Sequence, residues 1–483
     1  MKWPLISFFS ETRGRVVALL CVLLLSFTVR ALTAEFMAAR LDDAGWFQSG
    51  TYAIFDEQAR NILDGKASPF WIDEGARTQA AIYPPAYSLW LVFIYGVSGV
   101  RSALVVQKVQ WVLDALAPLL LIGIGVTAYG WRVGLIAGGL AALSPLLALY
   151  GATPLADAPT SWVVLGGVWM LLLALKRRSW AWALWAGLMV GASCWLRANA
   201  LLLALAWAPA LFFLARGALR ERVRLALSVL LGAILLVAPV LVRNAVAFRA
   251  FLPTGMGLGT NLWEGIGETE RAAEFGAVYG DANLLAQERA AMNLAPDVPL
   301  SLYWPDGVRR DRERTRKAVA VIISHPVWYS GVMLRRMWGV LNYAGEPVPY
   351  YGYAGLNVTS RKCLPPRWQG TALALGVNLL GMGQSVFRHI ALPLVLCGVW
   401  LALRREGRMS IMILTTALYY LVVGSAMHTE IRYGLPMQAL LLIFAAFSIL
   451  KIVWSLKSGV WSQKKNSESR ALDSRLQTPD SRL

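Results

Sequence analysis

The chain places two adjacent carboxylates, Asp56 and Glu57, between its first two apolar stretches. They sit in a segment from Tyr52 to Gly65 whose composition and terminal Gly predict a short helix. A polar linker carrying Arg77 follows, and the chain enters its next apolar stretch through Tyr83, Pro84 and Pro85. Carboxylates beside a lipid surface suit acid–base chemistry at the lipid–water boundary, where a positioned base contributes roughly 10²–10⁴-fold. The plainer alternative is a solvated loop helix, in which Asp beside Glu is ordinary. A third acid, Asp157, lies between Pro154 and Pro159 at the junction of two apolar stretches. It suits the same chemistry, and it equally suits a plain N-cap of a helix over 159–175.

The rest of the chain says what must hold these acids. It is 57% hydrophobic and 15% charged, with 21 Trp, a composition that excludes an ordinary soluble domain. Apolar stretches cover 16–34, 103–128, 133–150, 160–175, 180–195, 198–215, 225–242, 390–403, 411–427 and 434–454. About 20 residues at 1.5 Å rise cross a hydrocarbon core of about 30 Å, and a helix satisfies its own backbone there. The fold class is therefore all-α, a polytopic membrane helix bundle of about 10–12 transmembrane helices. The first stretch resembles a signal sequence, but no small-residue cleavage site follows it, so it reads as a retained anchor. Cys21, Cys194 and Cys397 lie in apolar stretches and only Cys363 lies elsewhere, so no disulfide framework follows. The three His, at 325, 389 and 428, lack metal-ligand spacing. No metal site or cofactor is predicted, although a divalent ion held by carboxylates stays open.

The net charge of +18 does not point to nucleic acid, because the cations gather at helix ends. Lys176 to Arg178, Arg216 to Arg224, Arg404 to Arg408, and the tail with Lys451, Lys457, Lys464 and Lys465 mark a cytoplasmic face. Residues 35–83 carry eight acids against four bases and belong on the opposite side. Ten crossings put every basic cluster inside, provided that the helix over 85–99 does not span the membrane separately. The acids, Arg243 and a long segment over 245–386 then share the outer face of the plasma (inner) membrane, toward the periplasm.

That long segment opens on a Gly-rich, turn-like stretch over 253–265 and continues with a polar helix over 268–293. A charged helix follows over 309–323, then an aromatic helix over 327–340 that suits a membrane interface. Residues 343–353, rich in Tyr, Pro and Gly, are placed to cover a site. The membrane domain takes in 1–457, and the polar tail 458–483 is expected to be cytoplasmic and disordered.

Taken in order, these pieces resemble the GT-C superfamily of membrane glycosyltransferases. The nearest branch holds the protein O-mannosyltransferases and the aminoarabinose transferase of lipid A. The resemblance rests on Asp56-Glu57, the Ala59, Ile62, Gly65 helix, Pro84-Pro85, Asp157, and the series Gly187, Gly191, Arg197. It continues through Pro239, Arg243-Asn244, the Gly259, Asn261, Leu262, Trp263, Gly265 motif, and Arg432-Tyr433 before Pro436. Two features depart from it: Tyr83 stands where some relatives carry Lys, and soluble sugar-binding repeats are absent.

The resemblance implies a polyprenyl-phosphate-linked sugar donor and transfer, with inversion, to a hydroxyl of a lipid, glycan or protein. It implies Asp56 as base, with Glu57 orienting and Asp157 assisting. Arg243, Arg77 and Arg432 would meet the donor phosphate, with Tyr83 beside them, and Asn261 and Glu264 would contact sugar or acceptor. Two of these have a plainer reading: Arg243 ends a helix, where a cation suits the dipole, and Arg432 can simply pair with Glu430 or Asp157. The competing class is a transporter or flippase of a lipid-linked sugar, for which Lys108 and Asp114 within an apolar stretch are the signal.

Overall fold

The computed structural model describes residues 12–38, 41, 51–66, 84–253, 255–302, 305–341, 366–428 and 430–476. Among them there is no β-strand, as an all-α bundle requires. The first part of the chain forms α1 (Thr12–Ala38), α2 (Thr51–Leu63), α3 (Ala86–Ser98), α4 (Ala103–Asp114), α5 (Pro118–Tyr129), α6 (Trp131–Leu143) and α7 (Pro145–Ala152). Then come α8 (Asp157–Arg177), α9 (Trp180–Cys194), α10 (Leu203–Leu214) and α11 (Leu219–Phe248). A polar segment holds α12 (Leu258–Gly267), α13 (Asp281–Ala291), α14 (Gly307–Ser324) and α15 (Pro326–Leu341) before α16 (Ala372–Ser425) and α17 (Leu435–Leu476) close the chain.

Among the described residues, six stretches are long and apolar enough to cross a membrane: Thr12–Glu35, Ala103–Tyr129, Asp157–Arg177, Leu219–Val246, His389–Ser425 and Ile431–Ser455. α6 and α7 form a further pair bent by 59°, while α9 and α10 are shorter and apolar. α16 is interrupted at Glu406, where the backbone leaves helical geometry within the basic stretch that the sequence predicts as a turn. α3 has 13 residues and stops at Gly99 in the left-handed region. That is about 20 Å of helix, short of the hydrocarbon thickness. It packs instead on α2, with the Phe55 and Tyr87 rings 4.9 Å apart.

The bundle has two chemically different ends. Lys176 Nζ donates to Thr127 O, Arg408 Nε donates to Leu214 O, and Arg132 lies over the Trp454 ring, so the basic clusters gather at one end. Tyr150, Ile431 and Leu435 pack together at the other, near Asp157. Between the ends lies one buried ion pair. Arg30 Nε donates to Asp114 Oδ2 at 2.7 Å, with the two side chains 1% and 5% exposed. Trp162 Nε1 donates to Asp114 Oδ1 at 2.6 Å, and Arg30 Nη1 to Ala142 O at 3.1 Å. Asp114, the acid that suggested a transport path, is thus committed to holding α1, α4, α6 and α8 together. Lys108 is exposed on the bundle surface.

Three expectations change. The Gly-rich stretch is irregular only as far as Gly257, which has positive φ, and from Leu258 it is α12, because Gly259 and Gly265 serve close packing. A Cβ at Gly259 would lie 2.0 Å from Asp311 O, and one at Gly265 would lie 2.7 Å from His428 N. The polar helix over 268–293 is divided, with a one-turn helix Ala272–Phe275 separated from α13 by Gly276 and Gly280, both at positive φ. The tail is not wholly without structure, since α17 runs on to Leu476. Residues 343–353 lie outside the described residues, as do Arg77, Tyr83 and Cys363.

Removing Arg30 strands a charge in the bundle interior. Arg30→Ala should cost about 3–5 kcal/mol, the range for breaking a buried pair on one side. It should appear as a lower thermal unfolding midpoint in detergent. Adding Asp114→Asn should recover part of the loss, because the charge goes while the acceptor for Trp162 stays. An undiminished loss in the double variant would assign the effect to the Arg30 stem.

Candidate functional site

The end of the bundle opposite the basic clusters holds a polar cavity of about 330 Å³. That size falls within the roughly 300–1,000 Å³ of small-molecule sites. Its walls come from distant parts of the chain: Thr51 of α2, Arg197 after α9, Asn261 and Glu264 of α12, Asp281 of α13, and His428 and Arg432 between α16 and α17. The sequence-predicted residues Asn261, Glu264 and Arg432 therefore meet. Asp157 reaches the cavity through Arg197, whose Nη1 donates to Asp157 Oδ1 at 2.7 Å. The Asp157 side chain is 0% exposed, and its Oδ2 has no hydrogen-bond partner among the described residues.

Asp157 is the first residue of α8, after Ala156, so it is not the N-cap that the helix-start pattern allowed. Its side chain is spent on Arg197 rather than on the helix amides. The local fold explains how Arg197 arrives. Gly187 and Gly191 let α9 touch α11: a Cβ at Gly187 would lie 2.1 Å from Val229 O, and one at Gly191 2.8 Å from Ala233 O. That contact carries the end of α9 to the cavity, where the Arg197 guanidinium also lies 4.7 Å from the Tyr433 ring centroid. Sequence reading had Arg197 as the last member of the glycine series and gave it no role. The regular Gly187, Gly191 spacing was the available signal.

Asp56 stands on α2, five residues beyond the cavity-lining Thr51, or about 7.5 Å along the helix. Its Oδ2 accepts from Arg60 Nε at 2.7 Å, and its Oδ1 accepts from the Tyr95 hydroxyl, which also contacts the Tyr52 hydroxyl at 2.7 Å. Burial raises the pKa of the Tyr52 hydroxyl, so both phenols stay hydrogen-bond donors. A carboxylate offers about four lone-pair sites, so two donors leave Asp56 acceptor capacity. Glu57 is exposed. Arg243, near the end of α11, is half-buried and donates to Asn244 Oδ1 at 2.9 Å; it does not line the cavity. Arg432 pairs with Glu430.

The wall formed by α12 is anchored from behind by charge. Asp311 of α14 accepts from the backbone N–H of Gly259 at 3.1 Å and of Thr260 at 3.2 Å, at the start of α12. Glu288 of α13 joins Arg314, at 2.7 Å, and Arg310. On the cavity side, the Nδ1 edge of His428 meets Glu268, and Arg336 holds the other Glu268 oxygen at 3.0 Å. His428 N–H also donates to Asn261 O at 2.8 Å, tying the α16–α17 connection to α12.

Glu264 is buried beside Asp281, and its Oε1 has no hydrogen-bond partner among the described residues. Burial first, and then the neighbouring Asp281 carboxylate, push its pKa up to about 8, against the opposing pull of His428. At neutral pH it is mostly a neutral acid that can donate a hydrogen bond to a hydroxyl-rich ligand. The cavity thus offers cations (Arg197 and Arg432), donors and acceptors (Asn261, His428 and neutral Glu264) and carboxylates (Asp281 and Glu430) within one small volume. Among the described residues, no group of three or more His, Cys, Asp or Glu could hold a metal ion.

The raised Glu264 pKa has a definite sign. The folded state favours the protonated form, so this contribution to stability is full below the ordinary value of 4.5 and is lost as pH rises through about 8. The unfolding midpoint of the wild type should therefore fall between pH 5 and pH 9 by more than that of Glu264→Gln, which cannot ionise. Parallel curves for the two proteins would contradict the assignment.

Residues 83–242 match the family model for dolichyl-phosphate-mannose-protein mannosyltransferase. No curated protein sequence matches the chain. Among solved structures, it is similar to the Archaeoglobus fulgidus oligosaccharyltransferase AglB in complex with an inhibitory peptide and a dolichol-phosphate. The identity is 14% and the TM-score 0.51, over 95% of this chain and 52% of that one. The apo form gives the same values. The form tethered to an acceptor peptide containing the NVT sequon gives 12% identity and a TM-score of 0.50, over 93% and 50%. The chain thus spans about half the length of these oligosaccharyltransferase structures, and at this identity the likeness is one of fold.

Proposed function

We propose that this chain, an integral multi-pass membrane protein with the GT-C glycosyltransferase fold, moves a sugar from a polyprenyl-phosphate donor to a hydroxyl. The acceptor hydroxyl belongs to a lipid, a glycan or a protein. The observation that carries the reading is the shared polar cavity, which joins the Asp56 helix, the Asp157–Arg197 pair and the Asn261–Glu264 face at one end of an apolar bundle. A lipid-linked donor needs that combination, with its phosphate at headgroup depth and its chain in hydrocarbon. The ion-paired state of Asp114 removes the sequence feature that favoured a transporter.

In the mechanism, Asp56 takes the proton of the acceptor hydroxyl. The hydroxyl oxygen forms a bond to the anomeric carbon as the bond from that carbon to the phosphate oxygen breaks. Attack opposite the leaving group inverts the anomeric centre. Arg60 and Tyr95 hold the Asp56 carboxylate in place, and Glu57, exposed one residue on, orients the acceptor. Negative charge grows on the departing phosphate, which cations stabilise. Arg243, Arg432 and Arg77 are assigned that task together with Arg197, with Tyr83 beside them as the resemblance implies. Asn261 and Glu264 hydrogen-bond the sugar or the acceptor. Asp157 orients Arg197. The active site faces outward from the plasma (inner) membrane, toward the periplasm.

Asp56→Asn should lower transfer at least ~100-fold at normal expression, since an amide has no useful basicity. Glu57→Gln should cost less. The readout is mass spectrometry of glycolipids and glycoproteins from cells making the wild type, the variant or neither. Full product from Asp56→Asn would remove the base. No product difference between wild type and its absence would remove the enzyme reading. Sidedness has its own check: a Cys at exposed Glu274 should react with an impermeant thiol reagent from outside only, and a Cys at Arg220 from the cytoplasm only. The reverse pattern would invert the topology.

A further inference from the structure

A second cavity lies at the basic end of the bundle, remote from the first. Its volume is about 460 Å³, and it is lined by Tyr129, Gly130, Trp131, Arg132, Val133, Arg405, Leu450, Lys451 and Trp454. Three of these are cations and none is an acid. Three elements build it. Gly130, at φ +99°, joins α5 to α6, Arg405 immediately precedes the break in α16 at Glu406, and Lys451 and Trp454 lie on the facing length of α17. From Arg432 to Lys451 is nineteen residues, or about 28 Å of mostly helical rise, close to the hydrocarbon thickness. The two cavities therefore stand about one hydrocarbon thickness apart.

The cations here have no carboxylate partner among the described ion pairs. Arg132 lies 5.5 Å from the centroid of the Trp454 ring, Arg405 lies 6.0 Å from that of Phe447, and Arg15 of α1 lies over the Trp131 ring at 5.7 Å. Trp131 Nε1 is buried and has no hydrogen-bond partner among the described residues. The nearest acid in sequence, Glu406, is exposed at the helix break. Apolar Val133 and Leu450 line the same cavity. A concave site whose lining holds three cations, indole rings and an apolar wall, and no acid, although Glu406 is near enough to act on Tyr129, matches one chemistry at headgroup depth, a phosphodiester joined to acyl chains.

We propose that this cavity binds the headgroup of an anionic glycerophospholipid. Arg132, Arg405 and Lys451 contact the phosphate oxygens, and the acyl chains lie along α6 and α17. The site is separate from the sugar-transfer cavity, and the proposal holds whatever that cavity's substrate is. Its consequence is a lipid clamp on three elements, the α5–α6 turn, the break in α16, and α17.

The test uses the full chain in detergent with added phosphatidylglycerol, phosphatidylcholine or soluble glycerophosphate, and reads bound lipid by native mass spectrometry. The expected result is retention of phosphatidylglycerol over phosphatidylcholine, with no retention of glycerophosphate. The triple variant Arg132→Gln, Arg405→Gln, Lys451→Gln should bind phosphatidylglycerol roughly 100-fold more weakly, at about fivefold per surface cation. A matched triple variant elsewhere on the same face, Arg177→Gln, Arg216→Gln, Arg220→Gln, should retain the wild-type preference. Equal retention of both lipids, an unchanged affinity in the cavity variant, or an equal loss in the matched variant would each overturn the site. Should the triple variant fail to fold, the single variants must show the graded fivefold losses, and their absence counts against the proposal.

Discussion

A charge in the bundle interior must bring its own partner, and the gathering of charged groups at the two ends follows from that constraint. In the bundle interior it is met by Arg30 and Asp114, with Trp162 and the Ala142 carbonyl completing the hydrogen bonds. With the interior charge neutralised in this way, the remaining charge is pushed to the two ends. One end gathers cations that face the headgroups. The other mixes acids with Arg197 and Arg432 around a cavity. The asymmetry is already present in the sequence as short basic clusters on one side and an acidic first loop on the other.

The site end is built by elements that could not hold their positions alone. α12 is a ten-residue helix, too short to be stable by itself. It is fixed by Asp311 accepting from its first amides, by close glycine contacts with α14, and by the bond from His428 N–H to Asn261 O. The buried Glu288, Arg310, Arg314 cluster stiffens the helices behind it. Rigid support of this kind lets a small polar cavity keep Glu264 buried and largely neutral while Arg197 is held in place by its contact with Asp157.

The bundle was legible in the sequence because bilayer-spanning helices need long apolar runs, and charge bias orders their ends. Asn261, Glu264 and Arg432 were legible as candidate site residues because their motifs sit between those runs, and the structure gathers them around one cavity. What escaped depends on packing between distant segments. Gly259 and Gly265 look like turn residues until α14 and His428 are seen against them. Asp157 looks like a helix cap until Arg197 reaches it across α9. Tyr95 carries no motif, and only the packing of α3 on α2 brings its hydroxyl to Asp56. Arg243 remains assigned by resemblance, since its place near the end of α11 lies outside the cavity wall.

The central claim is that the cavity end transfers sugar and does not carry the lipid-linked sugar across. The most direct test reconstitutes the purified protein in vesicles holding a labelled polyprenyl-phosphate sugar and a mixed acceptor extract from the cell envelope. The label is then followed both to product and across the bilayer. The account predicts that label leaves the lipid in step with release of polyprenyl phosphate and arrives on acceptor with inverted anomeric configuration. Label that changes leaflet while still attached to its lipid, with no glycosylated product, would contradict it.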